Sequence, residues 1–127
     1  MILGVGIDLV DIDRVERLVA AKGERALARL FTAQEVAYAM RRANPSEALA
    51  ARLAAKEAAY KAFSACGDAR AIGWRELEVV NGQDRRPSLI FHGRAQSCAA
   101  ALGVARAWVT LTHSATTAGA VVVLEGS

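Results

Sequence analysis

The chain has 127 residues, 54% of them hydrophobic, and a formal net charge of +3. That suits one domain over residues 1–127 with a sizeable core, and it excludes an intrinsically disordered chain. No apolar run approaches the length of a membrane span, and the N-terminal stretch has no basic region ahead of its apolar residues. Neither a membrane protein nor a signal peptide is therefore expected, and the expected location is cytoplasmic.

Ile2 to Ile7 reads as a short buried strand that ends on Asp8. An apolar stripe of Val10, Ile12, Val15, Leu18 and Val19 predicts a first helix from Asp13 to about Ala21. Thr32 and Glu35 form a capping box, with Phe31 and Val36 placed as a hydrophobic staple, so a short second helix starts there. Asn44-Pro45-Ser46-Glu47 is a strong helix start: an N-cap, a proline at the first helical position and an acid at the third. The alanine-rich run that follows predicts the longest helix, ending near Ser64. Small side chains allow neighbours to approach closely, so this helix is expected to be central.

Beyond the Gly67–Gly73 loop, Trp74 to Val80 reads as a strand, Asn81-Gly82 as a turn and Leu89 to Phe91 as the returning strand. Ala95 to Leu102 predicts a helix closed by Gly103. Two strands complete the chain, Ala107 to Thr112 and Ala118 to Leu124, the last apolar enough to be covered on both faces. Cys66 and Cys98 have no metal-like spacing and are expected to be free thiols.

The chemistry-bearing residues cluster around two elements. Asp8 ends a strand, where a carboxylate is costly unless partnered. Glu57 and Lys61 lie four apart and share one helical stripe. Only three of the sixteen basic residues are lysines, and two of them, Lys56 and Lys61, flank Glu57 on an otherwise apolar helix. Two carboxylates and an ammonium meeting at one point suit a hard divalent cation holding a phosphate. His113, with Thr112 and Ser114 beside it, is either a turn residue or a phosphate contact. From Arg14 to Arg42 there are seven basic residues against three acidic ones, either a solvated surface or a site for an anionic partner. No phosphate-binding glycine loop of the Walker type, dinucleotide fingerprint, nucleophile elbow or zinc spacing occurs.

Four segments in order resemble one family. They are Gly4-Val-Gly-Ile-Asp8, Phe31-Thr-x-x-Glu35, Arg52-Leu-Ala-Ala-Lys56-Glu57-Ala-x-x-Lys61, and Thr112-His113-Ser114 followed by Ala118-Gly-Ala-Val-Val. Together they are similar to the holo-acyl-carrier-protein synthase family, the short trimeric class of 4′-phosphopantetheinyl transferases. The resemblance implies an α+β fold with an antiparallel sheet packed around a long central helix. It implies transfer of 4′-phosphopantetheine from coenzyme A to a serine of apo acyl carrier protein, in fatty-acid biosynthesis.

By the same resemblance Asp8 and Glu57 would hold Mg²⁺, and Lys61 would offset or protonate the leaving phosphate. Glu57 or a metal-bound water would take the serine proton. Arg52, Lys61, Thr112 and His113 would contact coenzyme A phosphates, and Arg14, Arg17 and Arg25 would receive the acidic carrier protein. A homotrimer with sites between protomers is implied, with neither nucleic acid nor membrane as partner. The chain departs from the family pattern at Phe63-Ser-Ala-Cys-Gly67, which lacks the usual glycine-rich loop, at Ala51 and at Ser114-Ala-Thr-Thr117. The alternative, a basic nucleic-acid-binding module, explains the Arg14–Arg42 patch. It leaves Asp8, Glu57 and Lys61 without a role and has few aromatic side chains for stacking.

Overall fold

The computed structural model describes all 127 residues. In chain order the elements are β1 (Ile2–Asp11), α1 (Ile12–Leu30), α2 (Ala33–Met40), α3 (Pro45–Ala62), β2 (Leu77–Asn81), β3 (Pro87–Phe91), α4 (Gly93–Leu102), β4 (Val104–His113) and β5 (Thr117–Gly126). The architecture is the expected α+β arrangement, an antiparallel sheet against a long central helix.

The start of α3 is fixed as its sequence predicts. Asn44 Oδ1 accepts the Glu47 N–H at 3.2 Å and Pro45 occupies the first turn, which satisfies donors that a bare helix end leaves open. Nearly every alanine of this helix is buried, together with Leu49 and Leu53. The helix lies across a three-stranded antiparallel sheet ordered β1-β5-β4. Gly4 and Gly6 explain how closely it lies. A Cβ on Gly4 would overlap the carbonyl oxygen of Ala62, and one on Gly6 would overlap that of Ala58. Glycine is required here because the helix backbone occupies the space of a side chain.

The register of the sheet sorts its residues by face. Asp8 pairs with Ala120, which pairs in turn with Leu111. Gly4, Gly6, Asp8 and Val10 turn toward α3, while Val5, Ile7 and Leu9 turn away and are exposed, as is Trp108 on β4. No element of the chain covers that outer face. β5 is the central strand, as its composition suggests, but within this chain α3 covers only its inner side. β2 and β3 form a separate two-stranded ribbon. Its inner residues Leu77 and Val79 join the same buried cluster as Val122, Leu124 and Phe63.

Four expectations are corrected. β1 is expected to be a short buried strand that stops at Ile7, but its pairing with β5 continues to Asp11, so Asp8 lies within the strand opposite Ala120, and Val5, Ile7 and Leu9 are exposed. The first helix is predicted to end near Ala21, but α1 continues to Leu30 across a break at Gly23, whose φ of 57° and ψ of −138° interrupt the helical backbone. Ala26 and Leu27 then reach the core and restart the helix. Trp74 to Glu76 is a 3-10 turn rather than strand, because the Glu76 carboxylate takes the Gly73 N–H at 2.8 Å and bends the chain there. Cys66 and Cys98 are disulfide-bonded, not free. Cys66 lies just past α3 and Cys98 on the buried side of α4, with Cα atoms 5.9 Å apart, within the span a disulfide bridges. Their separation of 32 residues gives no sign in sequence of that proximity.

Gly6→Ala should destabilise the protein by about 1–3 kcal/mol by forcing α3 off β1. Urea denaturation measures this directly, and an unchanged midpoint would contradict the packing described.

Candidate active site

The seam where α3 crosses β1 brings three functional side chains together. Glu57 and Lys61 project from one stripe of α3 toward Asp8 within β1. The Lys61 Nζ donates to Asp8 Oδ1 at 2.8 Å and to the Ile7 carbonyl at 3.1 Å. Asp8 Oδ2 is buried and has no hydrogen-bond partner.

The electrostatics follow from this crowding. Burial disfavours the Glu57 carboxylate, and the Asp8 carboxyl beside it adds to the effect, so its pKa is pushed up to about 7. Burial acts the same way on Asp8, but contact with Glu57 and Lys61 outweighs it and holds Asp8 below its ordinary value. Lys61 is held above its ordinary value by the Asp8 carboxylate. Two neighbouring carboxyls, with Asp8 Oδ2 buried and unpaired, form a pair that a cation would complete. No cluster of three or more His, Cys, Asp or Glu side chains exists to cage a metal. The donor set therefore fits a hard cation that takes its other ligands from phosphate and water, as Mg²⁺ does.

A groove of about 850 Å³ between α1 and α3 opens onto Glu57. Arg14, Lys22, Arg25 and Arg29 line it on the α1 side, and Leu18, Leu53 and Trp74 give it apolar walls. Arg17 is exposed on α1 but does not line it.

Arg52, Thr112 and His113 do not join Asp8, Glu57 and Lys61 within one chain. Arg52 precedes Glu57 by five residues, about 140° around the helix. It is buried against Tyr38, its guanidinium carbon 4.0 Å from the ring centre, and it donates to Asn81 Oδ1 and, at 3.4 Å, to the Ala48 carbonyl. It lines a second cavity of about 240 Å³ with Gln34, Tyr38, Arg41 and Asn81. Burial lowers its pKa, offset in part by Tyr38 and Glu35. His113 Nε2 lies 3.3 Å from Glu47 Oε1. Glu47 is ten residues before Glu57, about 15 Å along the helix axis. Thr112 is exposed on the uncovered face of the sheet.

Sequence reasoning did not find the polar network behind the site. Lys56 is fully buried and paired with Glu35 at 2.8 Å, and Glu35 also takes the Val79 and Thr32 N–H groups. Thr32 donates its hydroxyl to Glu78, which faces His92 at 3.0 Å. Burial lowers the Lys56 pKa against the opposing pull of Glu35. The capping-box glutamate and the lysine beside Glu57 are both visible in the sequence, but nothing in it pairs them.

The 4′-phosphopantetheinyl transferase superfamily matches residues 4–118. The chain belongs to that superfamily. A holo-acyl-carrier-protein synthase from Thermus thermophilus is 47% identical over 125 residues, 98% of this chain and 94% of that protein. The acyl carrier protein synthase of Mycobacterium tuberculosis superimposes with a TM-score of 0.74 at 35% identity and full coverage of both chains. A holo-acyl-carrier-protein synthase of Bacillus anthracis, solved in complex with coenzyme A (3′,5′-ADP), gives a TM-score of 0.79 at 29% identity, covering 100% of this chain and 99% of that one. The superfamily match spans Asp8, Glu57, Lys61 and the whole of α3.

The raised Glu57 pKa carries a sign that can be measured. Below about pH 4.5 the side chain is neutral whether the chain is folded or unfolded. Between about pH 4.5 and about 7 the unfolded chain ionises it while the fold keeps it neutral, so stability falls across that window and levels off above it. Without added metal, Glu57→Gln should therefore match the wild type in Tm at pH 5 and exceed it at pH 8. A Tm difference independent of pH would contradict the assignment.

Proposed function

We propose that the chain transfers 4′-phosphopantetheine from coenzyme A to a serine of apo acyl carrier protein and releases adenosine 3′,5′-bisphosphate. The observation that carries this reading is the meeting of Asp8, Glu57 and Lys61 at the end of a basic groove, in a chain of this superfamily. The relatives' acyl-carrier-protein synthase activity and the coenzyme A held by the Bacillus anthracis protein support it. The nucleic-acid-binding alternative finds no support, since the basic side chains of α1 line a groove that ends on a carboxylate.

Asp8 and Glu57 would hold Mg²⁺, which supplies charge neutralisation to the diphosphate when bound. Phosphoryl transfer depends more on alignment and charge than on covalent catalysis, so the residues' main task is to position. Glu57, the carboxylate onto which the groove opens, would take the serine proton. Lys61, bonded to Asp8 at 2.8 Å, would offset or protonate the leaving phosphate. Arg14 and Arg25 in the groove, with Arg17 on the adjoining surface, would attract an acidic carrier. A place in fatty-acid biosynthesis in the cytoplasm fits this substrate pair, and no helix is long and apolar enough to cross a membrane.

We further place the working site between protomers of a homotrimer. Val5, Ile7, Leu9 and Trp108 form an uncovered apolar sheet face of the kind that marks protein contact. His113, far along α3 from its own Glu57, would then serve a neighbour's coenzyme A together with Thr112, whereas Arg52 is held by Tyr38 and Asn81 inside its own chain.

Incubation with coenzyme A, Mg²⁺ and apo carrier should add one phosphopantetheine to the carrier by intact mass. Asp8→Ala should abolish the gain, and Arg14→Glu should raise the carrier KM while leaving that for coenzyme A unchanged. No gain with any carrier would sink the reading. Ile7→Glu should convert a trimer to monomer by light scattering and remove activity with it; an active monomer would refute the shared site.

A further inference from the structure

Trp74 has no part in the scheme above, yet the structure holds it firmly beside Glu57. Its carbonyl accepts from the Lys56 ammonium at 2.9 Å, and that same buried nitrogen donates to the Leu77 carbonyl at 2.7 Å and pairs with Glu35. On the preceding residue, the Gly73 N–H is tied to Glu76, whose other oxygen takes the Arg94 N–H at 3.0 Å. The turn is thus pinned from α3, from its own third residue and from α4. Despite that anchoring, the indole is 37% exposed and forms a wall of the groove with Leu18, Leu53 and Glu57. A half-exposed indole carried on a pinned backbone in a groove is the kind of side chain that dominates recognition, because it brings large apolar area on few rotatable bonds.

The opposite side of the groove narrows the choice of occupant. Arg14, Lys22, Arg25 and Arg29 line it from one helix. A partner matching both sides carries several carboxylates along one face and an apolar side chain on the other, as an acidic amphipathic helix does. The pantetheine arm of coenzyme A offers no such row of carboxylates.

We propose that Trp74 is a specificity-determining residue for the carrier protein, receiving an apolar side chain from an acidic amphipathic segment of the carrier that lies along the basic side of the groove. This rests on the transfer reaction proposed above. Lys56 acts through it by fixing the backbone from which the ring projects.

Steady-state kinetics of Trp74→Ala with apo carrier and coenzyme A test the idea. The carrier KM should rise about tenfold, while kcat and the coenzyme A KM stay within about twofold and the Tm is unchanged. Trp74→Phe should recover most of the loss. A rise in the coenzyme A KM instead would assign the wall to the pantetheine arm and overturn the proposal, as would no change in either KM. Binding is read separately by indole emission. Apo carrier should shift the emission of the wild type but not of Trp74→Phe, which retains only Trp108, and a shift that survives in Trp74→Phe overturns the proposal. A wild type that transfers nothing sinks the transfer reading itself. The emission titration then decides Trp74 alone: a shift lost in Trp74→Phe upholds its contact with the carrier, and no shift removes it.

Discussion

The site depends on the closeness of α3 to β1. Two carboxyl groups pressed together at that seam repel each other, and only a tight backbone contact can hold them there without a cation. Gly4 and Gly6 make the contact possible by leaving room for the carbonyls of Ala62 and Ala58. The alanines of α3 do the same on every other side. The low side-chain volume of this core is therefore part of the chemistry. A helix of larger residues would stand further from the strand, and Glu57 would no longer feel Asp8.

Behind the seam, the interior uses charge for positioning. Replacing a buried ion pair such as Lys56–Glu35 with apolar residues is often neutral or stabilising, whereas removing one partner is costly, so its presence calls for a reason beyond stability. Here the pair joins α2, α3 and the start of β2 through bonds to Thr32, Val79, Trp74 and Leu77. The acid pair at the front is incomplete and the ion pair at the back is fully satisfied. That contrast separates a place for ligands from a place for structure, although Lys56 and Glu57 are adjacent in sequence.

Much of this is legible in the sequence because its signals are local. The Asn44-Pro45 start, the Thr32–Glu35 box and the Gly103 stop each act within a few residues, and each appears where expected. Glu57 and Lys61 are legible because an i, i+4 pair is a simple geometry, whereas Asp8 reads as a strand end and lies within β1, whose pairing with β5 carries it on to Asp11. What stays hidden depends on contacts distant in sequence. The burial of Arg52 against Tyr38, the Lys56–Glu35 pair and the Cys66–Cys98 bond all join segments whose meeting is set by packing. The run of α1 past Gly23 escapes the sequence for a related reason, since a glycine able to adopt positive φ reads as a stop unless the core beyond it is known.

β1 also serves two masters by parity. From Gly4 on, its even-numbered residues Gly4, Gly6, Asp8 and Val10 face α3 and include the carboxylate of the site, while Val5, Ile7 and Leu9 face outward. A strand has a period of two, so inserting or deleting one residue before Asp8 would exchange the two faces. Ile7 would then lie against Glu57, and Asp8 would stand among the apolar residues outside. Point substitutions in this strand can be graded, but a change of length cannot. Outside Gly4, Gly6 and Asp8, this strand tolerates a change of residue far better than a change of length.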